Sequence, residues 1–119
     1  MNQKMLILPM KKKWFDMVLS GEKKQEYRES KPYWRTRVNN WEVANGENST
    51  ESKSFREVVF HRQQPILFVN GYGSDAPRFI GWSNGYSLRM SVNHKEWGEG
   101  AYDGIDHYAF HILRTERIN

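Results

Sequence analysis

Residues whose side chains can do chemistry stand close together early in the chain, in and just after the pattern Gly-x-Lys-x-x-Glu. Gly21, Lys23 and Glu26 form the pattern, and Arg28 follows two residues later. An ammonium, a carboxylate and a guanidinium at one place can bind a phosphate, and a lysine beside a carboxylate can also move protons. The same residues can instead form a partly buried ion pair that only fixes a turn. The spacing leaves both interpretations open.

The elements on either side of the pattern decide whether these side chains meet. Upstream, apolar residues at helical spacing predict an amphipathic helix: Trp14, Phe15, Met17, Val18 and Leu19. Gly21 suits the left-handed cap that ends such a helix. Residues 25–28 then predict a strand, in which alternate side chains face the same side. We therefore expect Glu26 and Arg28 to share a face, with Lys23 in the turn beside them.

At these residues the chain resembles the ASCH domain, a compact β-barrel family related to the PUA-type RNA-binding domains. The likeness lies in the order of an apolar strand (Met5 to Leu8), a helix, the Gly-x-Lys-x-x-Glu pattern and a second strand. It extends to Glu96-Trp97-Gly98, which precedes a last long strand at 108–118. The resemblance implies a small closed or half-closed PUA-like barrel with a helix between its first two strands, and a cleft that binds RNA or a nucleotide.

The resemblance also implies an enzyme as an alternative. Some family members hydrolyse the acetyl amide of acetylated cytidine with a lysine, a threonine and a glutamate. Lys23 stands at the place of that lysine, but Glu26 stands where the threonine is expected, so the hydroxyl nucleophile is missing. If the chain is an enzyme, Lys23 and Glu26 are its predicted catalytic residues, in a metal-independent amidohydrolase or a ribonuclease. A protein-interaction domain is a further alternative.

Length and composition exclude several classes of protein. The 119 residues fit a single domain, 1–119, and the absence of cysteine excludes disulfides and thiolate nucleophiles. The histidines at 61, 94, 107 and 111 do not have the spacing of metal-binding motifs, so we expect no metal and no other cofactor. The N-terminal apolar stretch is too short for a signal peptide or a membrane span, which predicts a cytoplasmic protein that does not enter membranes.

Positive charge is concentrated in the first third of the chain. Residues 1–37 hold ten Lys and Arg against four acidic residues, a net charge of +6, whereas the whole chain has +4. RNA would be attracted to this part, and aromatic rings would stack on its unpaired bases. The alternative is that residues 11–13 are a solvated helix start and the rings are core. The predicted ligand-binding residues are Gly21, Lys23, Glu26, Arg28, Trp34, Arg35, Lys11, Lys12 and Lys13.

A second short helix is predicted after the first two strands. It begins at Pro32, with Ser30 as its candidate cap. Residues 39–55 are polar and without period, which predicts a loop inserted before the next strand.

The remaining patterns predict strands and the turns between them. Strands are predicted at 58–61 and 66–69, with Gln63-Gln64-Pro65 as their turn. Asn84-Gly85 predicts a hairpin turn before a strand at 86–92. Together these elements predict an α+β domain whose sheet curls to protect its edges.

Overall fold

The structure, a computed structural model, describes residues 4–47, 57–89 and 106–118. Within these ranges the elements follow in the order β1 (Leu6–Met10), α1 (Lys12–Ser20), β2 (Gln25–Glu29), α2 (Pro32–Ala44), β3 (Glu57–Asn70), β4 (Arg78–Arg89) and β5 (His107–Arg117). A helix separates the first two strands, as predicted. Some predicted features lie outside the described residues: His94, Glu96-Trp97-Gly98, residues 48–55 of the loop and residues 90–92 of a strand.

The strands form one sheet in the order β1-β3-β4-β5-β2. β1 pairs with β3 in parallel, and the other neighbours pair antiparallel. The sheet curls into a half-barrel, which confirms the predicted α+β class and the half-closed sheet. Its edge strands, β1 and β2, approach each other, and Arg28 on β2 donates to the carbonyl oxygen of Pro9 on β1 at 2.7 Å. We call the gap between these two strands the seam.

Aromatic side chains inside the curl attach both helices to the sheet. Phe68 of β3 and Phe79 of β4 stack with ring centroids 5.0 Å apart, and Phe15 of α1 meets Phe79 edge to face at 4.9 Å. Trp41 of α2 is 4% exposed and donates from its indole nitrogen to the carbonyl oxygen of Pro65. Because large buried rings contribute most of the apolar contact area, these contacts fix where each helix lies on the sheet.

α1 ends where the sequence predicts. Gly21 has a φ of 85°, in the left-handed region, and its N–H donates to the carbonyl oxygen of Val18 at 3.1 Å. The N–H of Lys23 then donates to the carbonyl oxygen of Met17 at 2.9 Å. These bonds satisfy carbonyl groups of the last helical turn and fix the backbone of Lys23 against it.

α2 extends further than predicted. Residues 39–44 are helical, so the predicted loop at 39–55 was wrong over this part. The helix shows no clear period because it buries few residues: Val38, Trp41 and Glu42. Glu42 is polar but buried, and its carboxylate accepts a hydrogen bond from the hydroxyl of Tyr86 at 3.0 Å. A buried hydrogen-bonded carboxylate thus replaces the apolar residue that a periodicity argument looks for.

β3 is one continuous strand, so the predicted turn at Gln63-Gln64-Pro65 was wrong. Its pairing with β4 shifts register just ahead of Gln64. The carboxylate of Glu47, which is 5% exposed, accepts hydrogen bonds here. The donors are the N–H groups of His61 (2.8 Å) and Arg62 (3.3 Å) and the side-chain amide of Gln64 (2.7 Å). A carboxylate from another part of the chain therefore supports the strand through a bulge.

The hairpin turn predicted at Asn84-Gly85 was also wrong, because both residues lie inside β4. Gly85 has a φ of 140°, and a Cβ atom added there would lie 2.0 Å from the carbonyl oxygen of Val58. The pairing of β4 with β5 shifts register between Ser83 and Tyr86. Glycine is thus required because β4 approaches β3 closely here, beside its irregular pairing with β5. The chain does not reverse at this point.

We expect Glu47→Gln to lower the free energy of unfolding by about 1–3 kcal/mol, because an amide NH₂ replaces an oxygen that accepts hydrogen bonds at the bulge. Glu116→Gln, at an exposed position of β5, is the matched control and should change stability by less than about 0.5 kcal/mol. Urea denaturation followed by circular dichroism measures both. Equal stability of the two variants would show that the bulge does not depend on the carboxylate.

Candidate functional site

A cavity of about 510 Å³ opens at the seam. The edge strands line it with Pro9, Tyr27 and Arg28, and the first turns of α1 and α2 line it with Trp14 and Trp34. Its volume lies within the range of about 300–1,000 Å³ that is typical of small-ligand sites. The incomplete closure of the barrel thus leaves room for a ligand.

Three charged side chains of the lining, which we call the ion chain, contact one another in the cavity wall, and two of them, Lys23 and Glu26, are buried. Nζ of Lys23 lies 2.5 Å from Oε1 of Glu26, and Nη1 of Arg28 lies 2.8 Å from Oε2. The side chains of Lys23, Glu26 and Arg28 are 1%, 6% and 17% exposed. Glu26 and Arg28 share a face of β2, as predicted. The two interpretations of the motif are compatible, because the buried ion pair also borders an open cavity.

The ion chain also bonds the backbone of both edge strands. Arg28 donates to the carbonyl oxygen of Tyr27 on β2 and to that of Pro9 on β1, each at 2.7 Å. Oε1 of Glu26 accepts from the N–H of Tyr27 at 3.2 Å. At the seam, these side chains therefore make hydrogen bonds to the backbone of the kind that a neighbouring strand makes elsewhere in a sheet. Proline suits this position on β1, since an edge strand needs no N–H on its open side.

Burial and ion pairing shift the pKa values of Lys23 and Glu26 in opposite directions. Burial lowers the pKa of Lys23, and the carboxylate of Glu26 opposes this shift. Burial alone would raise the pKa of Glu26, but the charges of Arg28 and Lys23 outweigh it and hold that pKa below its usual value. Glu26 is therefore ionised at neutral pH, and both of its oxygens accept hydrogen bonds. Such a carboxylate positions cations and has no proton to donate.

Each cation of the ion chain lies over an indole ring. Nζ of Lys23 is 4.9 Å from the ring centroid of Trp14, and the guanidinium carbon of Arg28 is 5.4 Å from that of Trp34. Both rings are partly buried, pack against the core and line the cavity. Cation–π contacts of this kind contribute about 0.5–2 kcal/mol each and hold the rings in a defined orientation. The cavity thus has two oriented aromatic surfaces.

Lys11 and Lys31 are exposed and line the same cavity. They are the N-cap residues of α1 and α2, which corrects the prediction of Ser30 as the cap of the second helix. Neither first turn holds an acidic residue, so the positive ends of both helix dipoles meet the cavity without a neighbouring carboxylate in the helix. The entrance therefore favours negative charge.

The structure brings together some of the predicted ligand-binding residues and not others. Those that line the cavity are Lys11, Lys23, Glu26, Arg28 and Trp34. Gly21 caps α1 and borders a separate cavity of about 130 Å³. Lys12 pairs with Asp16 at 2.6 Å on the outside of α1. Lys13 lies over the ring of Trp14, and Arg35 donates to the carbonyl oxygen of Ser30.

Sequence reasoning missed several residues of the lining. The helical pattern assigns Trp14 to the core, and Lys31 and Tyr72 are not among the predicted ligand-binding residues, yet all three line the cavity. One signal was present in the sequence, because both helices begin with Lys-x-x-Trp, at 11–14 and at 31–34. This repeat could have drawn attention to Trp14 and Lys31, although only the fold shows that the two helix starts line one cavity.

A second polar network crosses the sheet and ends at the cavity wall. The side-chain amide of Gln25 lies 2.8 Å from Nδ1 of His111, whose Nε2 lies 3.1 Å from the hydroxyl of Ser87, and Ser87 donates to Glu57 at 3.0 Å. With the hydrogen of His111 on Nε2, every contact pairs a donor with an acceptor. Gln25 also accepts from the hydroxyl of Tyr27 at 3.4 Å, and Tyr27 lines the cavity.

Neither a metal site nor a membrane span is found in the described ranges. There, no group of three or more histidine or acidic side chains is arranged to hold a metal ion. No helix among the same residues is long and apolar enough to cross a membrane.

Comparisons with protein-family models, with curated proteins and with solved structures find no match to this chain. The resemblance to the ASCH domain therefore rests on Gly21, Lys23 and Glu26 and on the order of the elements. The function that it implies stays a prediction.

We expect Lys23→Met to lower the free energy of unfolding by about 3–5 kcal/mol, because it removes one of the two cations that balance buried Glu26. Lys24→Met is the matched control, since this neighbouring lysine is exposed, and a change below about 0.5 kcal/mol is expected there. Adding Glu26→Leu to Lys23→Met should recover only part of the loss, because Arg28 then loses its carboxylate. Chemical denaturation compares all three. A Lys23→Met variant as stable as the control contradicts the structural role of the ion chain.

We expect the network at His111 to lose stability on acidification. Burial lowers the pKa of His111, Glu57 opposes this shift, and Arg89 adds to it. Because the folded pKa lies below the unfolded value of about 6.5, the contribution is complete above that pH and is lost as pH falls through the folded pKa. The stability difference between wild type and His111→Gln should therefore shrink as pH falls. Denaturation at a series of pH values measures it, and a pH-independent difference would refute the role of His111.

Proposed function

We propose that the chain is an RNA- or nucleotide-binding domain that takes an unpaired nucleotide into the cavity at the seam. The observation that carries the proposal is the convergence of indole rings and cationic side chains on one cavity. These residues are Trp14, Trp34, Lys11, Lys23, Arg28 and Lys31.

The charge of the lining favours an anionic ligand. Its four Lys and Arg side chains exceed its two carboxylates, those of Glu26 and Glu29, which leaves a net charge of +2. Because Lys23 is engaged by Glu26 inside the protein, the exposed lysines at 11 and 31 are the cations that first meet a phosphate. The net charge of +6 on residues 1–37 would attract a polyanion from a distance.

The indole rings distinguish a nucleic acid from other anions. Stacking of a base on an aromatic ring contributes about 1–3 kcal/mol with little regard to which base it is. An acidic protein partner would use the positive rim, but its carboxylates do not stack on Trp14 and Trp34, because the face of an aromatic ring repels negative charge. A nucleotide uses both features, which is why we favour it over a protein-interaction domain.

Binding ranks ahead of the hydrolase alternative because Glu26 is fully engaged. It accepts hydrogen bonds from Lys23, from Arg28 and from the N–H of Tyr27. A carboxylate held in this way would have to break those bonds before it could act as a base. An amidohydrolase or ribonuclease that uses Lys23 and Glu26 stays a prediction. The ASCH and PUA-like assignment and a cytoplasmic location belong to the same proposal and rest on the sequence.

Salt dependence of RNA binding tests the proposal. A labelled single-stranded RNA should bind at low salt, and the double variant Lys11→Gln with Lys31→Gln should flatten the slope of log affinity on log salt by about 0.7 for each phosphate that the variant no longer binds. The matched control, Lys12→Gln with Lys24→Gln, removes the same charge outside the cavity and should keep the slope. Fluorescence anisotropy measures each. Undetectable RNA binding at low salt, or equal slopes for the two double variants, contradicts the proposal.

A further inference from the structure

The cavity is built from one arrangement used twice. α1 has Lys11 at its N-cap and Trp14 three residues later, and α2 has Lys31 at its N-cap and Trp34 three residues later. All four side chains line the cavity. Each helix therefore contributes one cation at the rim and one indole ring in the wall.

The ion chain continues this repetition into the protein. Lys23 lies over the ring of Trp14 and Arg28 over the ring of Trp34, at 4.9 and 5.4 Å from the ring centroids. Glu26 binds both cations, one through each carboxylate oxygen. The contacts thus run from one indole to the other through the carboxylate. The two rings lie at opposite ends of the chain of contacts. Trp34 contacts Arg28, and Trp14 contacts Lys13, at 4.7 Å, as well as Lys23.

From this repetition we propose that the cavity binds two successive nucleotides of a single strand, one in each half. The inference rests on the proposed function and specifies its ligand. Each half offers a ring for one base and a lysine for one phosphate. The net charge of +2 on the lining matches two phosphodiester groups. Trp14 and Trp34 are the specificity-determining pair for ligand length, and the competing arrangement is a single base clamped between both rings.

Affinity as a function of ligand length tests the proposal on the unaltered protein. A 5′-phosphorylated dinucleotide should bind about 5- to 150-fold more tightly than the mononucleotide, since it stacks one more base. A nucleoside 3′,5′-bisphosphate is the matched ligand, because it adds phosphate charge without a second base and should gain much less. A third nucleotide should add only an electrostatic gain. Isothermal titration calorimetry measures the series.

Single substitutions show which ring holds which base. Trp14→Leu and Trp34→Leu should each lower dinucleotide affinity to that of the mononucleotide, while the intact half still binds the mononucleotide. Trp82→Leu, at a partly buried indole of β4 outside the cavity, is the matched control and should leave both affinities unchanged. Thermal melting checks that each variant is folded. If a variant does not fold, the ligand series on the unaltered protein still decides.

The outcomes separate the inference from the proposed function. A bisphosphate that binds as tightly as the dinucleotide, or a single Trp substitution that abolishes mononucleotide binding, shows one clamped base. The two-nucleotide inference is then wrong while the proposed function stands. If RNA of no length binds, both are wrong.

Discussion

The seam between β1 and β2 is the constraint on which the rest of the structure depends. A sheet that curls without closing presents backbone donors and acceptors along both edges, and these need partners. Arg28 bonds carbonyl oxygens of both edge strands, and Glu26 bonds an N–H of β2. Because the buried carboxylate of Glu26 has lost its hydration, a second cation, Lys23, helps to offset the cost of its charge. The Gly-x-Lys-x-x-Glu pattern is therefore first explained by the geometry of an incomplete barrel.

This structural role limits the chemistry that the same residues can perform. Lys23 and Glu26 bind each other at 2.5 Å inside the protein, and their mutual attraction is strong because little water reaches them. Groups engaged in this way do not attack a substrate without losing that stabilisation. In the function that we propose, recognition belongs instead to the next residues outward, the indoles that contact the ion chain and the lysines at the rim. The structural role and the proposed binding role thus belong to residues at different depths of one cavity.

Local sequence signals predicted the features that local interactions determine. Gly21 ends α1 because that position needs a left-handed backbone conformation, which glycine adopts readily. The period of two along β2 places the side chains of Glu26 and Arg28 on the same face. The failures lie where a distant residue supplies the missing interaction. Gln64 continues a strand because Glu47 accepts the hydrogen bonds of the bulge. The pairing of the two indoles was equally hidden, since only the curl of the sheet brings the starts of α1 and α2 together.

Burial also separates the residues that hold the fold from those that we propose to contact a ligand. Removing one partner of a buried ion pair costs about 3–5 kcal/mol, a large part of the stability of a small domain. Exposed substitutions usually change stability by less than about 0.5 kcal/mol. The ion chain is buried, whereas Lys11, Lys31 and Tyr72 are exposed at the rim of the same cavity. Substitutions at the rim can therefore change the charge and shape of the cavity entrance while the contacts at the seam stay as they are.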